Sequence, residues 1–132
     1  MASPTNVLGK VEFFQGLSQR DLREIASSMK EYSFSAGREI ATEGKSGVGF
    51  FVIAAGTAAV SIKGRRVRKL GPGEYFGEVA LLTDLPRTAT VTAETDLTCW
   101  GMTSWAFRPL VESNGKLGWK LLQGLAEYAG NR

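Results

Sequence analysis

Gly37, Gly44, Gly47, Gly56, Gly64, Gly71 and Gly73 cut the middle of this chain into apolar runs too short to make helices. Between them lie Tyr32, Phe34, Ile40, the run Phe50–Ile53, the run Ala58–Ile62 and Val67–Leu70. Residues 88–93 then alternate Thr, Ala, Thr, Val, Thr, Ala, a period of two in residues of high β-propensity. Residues 97–103 make a further strand. Short strands at this spacing, punctuated by turn residues, predict a sandwich or barrel over residues 31–103.

The two ends read differently. Val7, Leu8, Val11, Phe13 and Phe14 form a short apolar, helical lead-in that stops at Gly16. Ser18 is a good N-cap with Asp21 three residues on, and Leu22, Ile25, Ala26 and Met29 recur at helical spacing, which predicts an amphipathic helix over 18–29. Ser104 opens a second helical region to about Glu112, with Pro109 as a kink or break. Ser113-Asn114-Gly115 is a turn, and Leu117, Leu121, Leu122, Leu125, Ala126 and Ala129 carry a last helix over 116–129. Gly118 and Gly124 each weaken that helix by about 1 kcal/mol relative to Ala. The order helix, about eight strands, helix pair is an α+β chain with its helices at the ends.

Composition narrows the function classes. A chain of 132 residues is one domain, 1–132, with enough surface to bury for one core. There is no histidine and one cysteine, Cys99, which removes the usual catalytic base, any intrachain disulfide and the usual zinc or copper ligands. Cys99 sits among apolar residues and reads as a small core residue. No nucleophile–base pair is identifiable, so an enzyme is not expected. The N-terminus lacks the basic and apolar regions of a signal peptide, and the run Phe50–Ala55 is too short to span a bilayer. The expectation is a cytoplasmic protein without a transmembrane segment. The net charge of +3 is concentrated, with Lys63, Arg65, Arg66, Arg68 and Lys69 inside seven positions. Such a cluster can attract nucleic acid, an acidic membrane surface or a small anion, or be a solvated hairpin tip.

The most specific stretch is 76–91, Phe-Gly-Glu-Val-Ala-Leu-Leu-Thr-Asp-Leu-Pro-Arg-Thr-Ala-Thr-Val. Gly77 to Leu81 can form one short turn whose N–H groups face an anion, and glycine at 77 allows close backbone approach. Pro86 fixes the backbone before Arg87, whose planar fork suits phosphate oxygens. Glu78 supplies an acceptor for hydroxyls.

This segment resembles the phosphate-binding cassette of the cyclic nucleotide-binding domain family. The resemblance runs from Phe13-Phe14-Gln-Gly-Leu-Ser through Gly37, Gly44, Gly56 and Gly71-Pro-Gly-Glu-Tyr-Phe-Gly-Glu to the last helix. It implies an eight-stranded jelly-roll-like β-barrel with an N-terminal helix and a C-terminal helix pair, a cassette at 76–89, and hinge and lid helices over 104–130. It implies a ligand, cyclic AMP or cyclic GMP, and no cofactor. Phe76, Gly77, Glu78, Val79, Ala80, Leu81, Arg87, Thr88 and Ala89 become the candidate binding residues. Glu78 would hold the ribose 2′-hydroxyl and Arg87 the phosphate, with the backbone amides of Ala80 and Thr88 completing the cradle.

Thr88 stands where many cyclic-AMP modules have Ala and where cyclic-GMP-selective modules often have Thr. Arg68 resembles in position an arginine that contacts guanine in cyclic-GMP-dependent kinases. Thr is also frequent in bacterial modules that bind cyclic AMP, and Arg68 belongs to a cluster that needs no ligand, so cyclic AMP is favoured over cyclic GMP. Trp119 and Tyr128 are candidates to stack on the purine from the last helix, or to pack on the barrel or a dimer seam. Many family members carry Gly-Asp in the loop after the second strand, where the acid pairs with the phosphate arginine; here Gly47 is followed by Val48. The expected role is a sensor coupled to an effector domain or partner protein, with a homodimer among the arrangements allowed and no DNA-binding domain in this chain. The competing readings are a module that has lost its ligand and serves protein interaction or dimerisation, and nucleic-acid binding through Lys63–Lys69.

Overall fold

The structure, a computed structural model, describes residues 8–45, 49–77 and 87–130, without the side chains of Phe13, Ser104, Leu125 and residues 127–130. A single 3-10 turn, Glu12–Phe14, precedes α1 (Gln19–Ser27). Eight strands follow: β1 (Lys30–Phe34), β2 (Glu39–Ala41), β3 (Gly49–Ala55), β4 (Ala58–Ile62), β5 (Arg65–Leu70), β6 (Tyr75–Phe76), β7 (Thr90–Ala93) and β8 (Leu97–Thr103). Two helices close the chain, α2 (Ser104–Ser113) and α3 (Gly115–Gly130).

The strands form two antiparallel four-stranded sheets, β1-β8-β3-β6 and β2-β7-β4-β5, stacked as the expected jelly-roll-like sandwich. The reason that Phe50–Ile53 reads as an unbroken apolar run is that β3 is covered on both faces. Phe50 and Val52 turn to the helices, where Leu8, Val11, Phe14, Leu22, Ile25, Met102, Phe107, Leu117 and Leu121 make one core. Phe51 and Ile53 turn to the sandwich interior with Ala58, Leu70, Phe76, Val91, Leu97 and Cys99. Inside the sandwich, Phe51 stacks on Phe76 at 5.3 Å and meets Tyr32 and Phe34 edge to face at 5.6 and 6.0 Å. Gly101 is required there, because a Cβ would lie 2.8 Å from the rings of both Phe51 and Tyr32.

The ends are tied together by polar contacts. Ser18 and Asp21 form the expected capping box, and Asp21 also accepts from Lys120 Nζ at 2.9 Å. Burial pulls the Asp21 carboxyl upward, but hydrogen bonds from Lys120 and Ser18 outweigh it and hold the group below its ordinary value. Asn114 donates to Glu24 on α1 at 3.1 Å while its Oδ1 accepts the Leu117 N–H and so caps α3.

One expectation needs correcting. Helix α2 runs through Pro109 rather than breaking there. Trp105 and Pro109 both stand on its exposed side, where water can take the carbonyl that proline leaves unpaired. Gly118, which weakens α3 by propensity, also serves its packing: a Cβ there would lie 2.6 Å from Val111 Cγ1, so glycine lets α3 pack closely against α2.

Candidate functional site

The candidate site begins at the end of β6. Phe76 is buried in the aromatic stack, which anchors the chain immediately before it turns. Gly77 then adopts φ +84°, a conformation that only glycine takes without strain. A Cβ at this position would run into the Gly49 carbonyl oxygen and would lie 2.5 Å from Arg87 Nη1. Glycine is therefore needed for both backbone conformation and space.

Arg87 is fixed at both its ends. Its N–H donates to the Lys45 carbonyl at 2.8 Å, and its own carbonyl accepts from the Gly44 N–H at 2.9 Å. The neighbouring Glu43 N–H is held by Thr90 Oγ1 at 3.0 Å, which carries the clamp into β7. The guanidinium Nη2 donates to the Gly49 carbonyl at 2.9 Å. The half-buried fork thus lies over the Gly77 turn, in contact with the start of β3. A backbone carbonyl just past the Gly47-Val48 pair takes one donor of this arginine. An anion arriving here meets a cation whose backbone and head group are both oriented, which lowers the ordering cost of binding.

The sequence-predicted residues divide. Gly77 and Arg87 are brought together. Phe76 is a core anchor, Thr88 is exposed and Ala89 half-buried at the entry to β7. Arg68 stands exposed on β5 and lines a cleft of about 360 Å³ with Lys10, Glu12, Gly73, Glu74 and Tyr75, a set that includes neither Gly77 nor Arg87. Trp119 is 62% exposed, so it does not pack on the barrel; Leu117 and Leu121 of α3 do the packing. Glu78, Val79, Ala80, Leu81 and the side chain of Tyr128 lie outside the described residues, as do Gly47 and Val48. Sequence reasoning missed Gly44, Lys45 and Gly49 as the residues that hold Arg87. Their contribution is backbone carbonyls and amides, and the only signal available was the density of glycines at 44–49.

Among the described residues no group of three potential metal ligands gathers, and no helix is long and apolar enough to cross a membrane. Cys99, in mid β8, is enclosed, and desolvation pushes its thiol up to about 12.

Residues 31–114 match the family model described as cyclic nucleotide-binding domain. The chain is 44% identical over 92 residues to a cGMP-dependent protein kinase of Eimeria tenella, covering 70% of this chain and 9% of the relative. It is 43% identical over 91 residues to a cAMP-dependent protein kinase regulatory subunit of Eremothecium gossypii, covering 68% of this chain and 20% of the relative. Its fold superposes with a TM-score of 0.85, at 26% identity, on the N-terminal domain of a transcriptional regulator from Streptomyces coelicolor A3(2), over 95% of this chain and 93% of that one. This chain thus spans a fifth or less of the length of these two curated relatives. With residues 31–114 matched by the family model and relatives of this kind at 43–44% identity, the chain belongs to the cyclic nucleotide-binding domain family.

Proposed function

We propose that this domain is a sensor that binds cyclic AMP in preference to cyclic GMP and relays occupancy to an effector, without catalysing a reaction itself. The observation that carries the reading is the Arg87 guanidinium fixed over the Gly77 turn by the Gly49 carbonyl. In this reading the phosphate takes a bidentate pair of N–H groups from Arg87, the match of planar fork to phosphate oxygens that lysine cannot make. Glu78 accepts the ribose 2′-hydroxyl, the Ala80 and Thr88 amides complete the cradle, and the exposed Thr88 hydroxyl is the group that tunes the choice of purine. Val79, Leu81 and Ala89 line the sugar-phosphate, while Arg68, Trp119 and Tyr128 remain candidates for the base. The relatives' names carry both nucleotides, one a cGMP-dependent kinase and one a cAMP-dependent kinase regulatory subunit, so the preference rests on the sequence alone: threonine at position 88 also suits bacterial modules that bind cyclic AMP, and Arg68 belongs to a basic cluster that needs no ligand. The effector is a partner chain or a further domain, the setting is the cytoplasm, and a homodimer through the C-terminal helices is compatible with the exposed Trp119.

Calorimetric titration with cyclic AMP and cyclic GMP at matched salt tests this. Micromolar or tighter binding of cyclic AMP is expected, weaker binding of cyclic GMP, and a loss of at least ~2 kcal/mol, about 30-fold, in Arg87→Ala. Near-native affinity in Arg87→Ala puts the site elsewhere. No heat with either nucleotide leaves an interaction module that has lost its ligand.

A further inference from the structure

The β4–β5 hairpin carries the chain's charge cluster, and its form adds to what the charge says. Residues 62–69 are all exposed. The turn is Lys63-Gly64 with φ +52° and +77°, the two positive values of the tight hairpin turn whose twist matches the strands. Asn-Gly is the sequence that suits this turn, and lysine in a left-handed conformation is uncommon. A cation thus sits at the extreme tip at a conformational cost. The tip is also braced, because the Lys63 N–H donates to Glu43 Oε1 at 2.8 Å. Beside the cations stand two aliphatic side chains in water, Ile62 at 39% and Val67 at 50% exposure.

Of the five cations, Arg66 alone has an ion pair among the described residues, with Glu94 at 2.9 Å. Lys63, Arg65 and Lys69 remain as outward charge, and Arg68 faces the cleft that contains Glu12 and Glu74. Strand addition along β5 is disfavoured. β5 is the sheet edge, but a bulge between its pairings with Val60 and Ser61 interrupts the ladder, and basic side chains on an edge oppose pairing. Nucleic acid is disfavoured too, because no aromatic residue lies between Thr57 and Lys69 to stack on a base. A braced hairpin with cations in its turn and along β5, and aliphatic groups beside them, matches a surface that is anionic outside and apolar just beneath.

We propose that the β4–β5 hairpin docks on anionic phospholipid along its exposed β5 edge, with Lys63, Arg65 and Lys69 at the headgroups and Ile62 and Val67 entering the acyl boundary. Attraction to the headgroups and burial of the aliphatic side chains then act together. This site shares no residue with the proposed nucleotide contacts Gly77 and Arg87.

Cosedimentation of the full chain with phosphatidylcholine vesicles, and with vesicles that also contain phosphatidylserine, tests it. Binding to the second and not the first is expected. Lys63→Gly with Arg65→Ala, a pair that keeps the turn, is expected to lower partitioning about 25-fold, near fivefold per cation. Ile62→Ser with Val67→Ser is expected to lower it roughly tenfold. Equal binding to both vesicle types, or full binding by the Lys63/Arg65 variant, overturns the proposal. Loss in the charge variant with full binding by the Ile62/Val67 variant also overturns it, and points to an acidic protein or nucleic acid instead. All these residues are exposed, so melting temperatures no lower than wild type separate docking from folding.

Discussion

Replacing Gly77 by alanine adds one methyl group and tests the geometry of the site at its tightest point. Two costs are predicted. The first is conformational: an L-residue in a left-handed conformation loses about 1–2 kcal/mol. The second is steric. The added Cβ meets the Gly49 carbonyl, which belongs to β3 and cannot rotate away, and lies 2.5 Å from Arg87 Nη1. Overpacking of this kind costs typically about 1–3 kcal/mol. Gly64→Ala isolates the first cost, because Gly64 has φ +77° and nothing within 4 Å of its Cβ position. At about 3–5 °C per kcal/mol for a domain of this size, Gly64→Ala should melt roughly 3–10 °C below wild type, and Gly77→Ala a further 3–15 °C lower. Thermal denaturation followed by circular dichroism reads both. The two variants should also part in nucleotide titration: Gly64→Ala keeps wild-type affinity, while Gly77→Ala, which displaces the Arg87 fork, loses at least tenfold. Equal melting of the two variants would refute the packing of Gly77 against Gly49 and Arg87. Lower stability with unchanged affinity would refute the link between this turn and the arginine.

Two further outcomes follow from the ionisable groups. The Asp21 carboxyl is held below its ordinary value, so its contribution is fully present above about pH 4 and is lost as pH falls through the lowered folded value. Asp21→Ala should therefore destabilise by about 1 kcal/mol at neutral pH, with the gap to wild type closing on acidification in denaturant titrations. The share due to Lys120 is about 0.5 kcal/mol or less, because that side chain is 39% exposed. Cys99, buried and with its thiol pushed up to about 12, should resist maleimide in the folded protein at neutral pH and react fully in denaturant, which mass spectrometry resolves.

Strand Ala58–Ile62 was legible to the residue because Gly56 and Gly64 bracket its apolar run, and Leu97–Thr103 because it lies between polar Glu94-Thr95-Asp96 and the helix start at Ser104. The α1 cap was legible because Ser18 and Asp21 act through their side chains. Strand Tyr75–Phe76 was not, since two residues show no period and its existence depends on β3 offering a partner. Helix α2 was misjudged at Pro109 because a local rule met a solvent-exposed carbonyl. The close packing that Gly118 permits was not legible, because propensity sees one helix, whereas the relevant neighbour, Val111, is on another. Arg87 stood out as a cation at the right spacing. Its holders Gly44, Lys45 and Gly49 did not, because main-chain hydrogen bonds between two loops leave no mark in residue identity.

Asn114 bonds in two directions, to Glu24 on α1 and to the first turn of α3. With Lys120 on Asp21, it joins the first and last helices at two points about a turn and a half apart. A swing of α3 that begins at Asn114 has to break one of these bonds at its fulcrum. A displacement that keeps them carries α1 along, so the terminal helices travel over the sandwich as a single lever whose mechanical stiffness is set at residues 21, 24, 114 and 120.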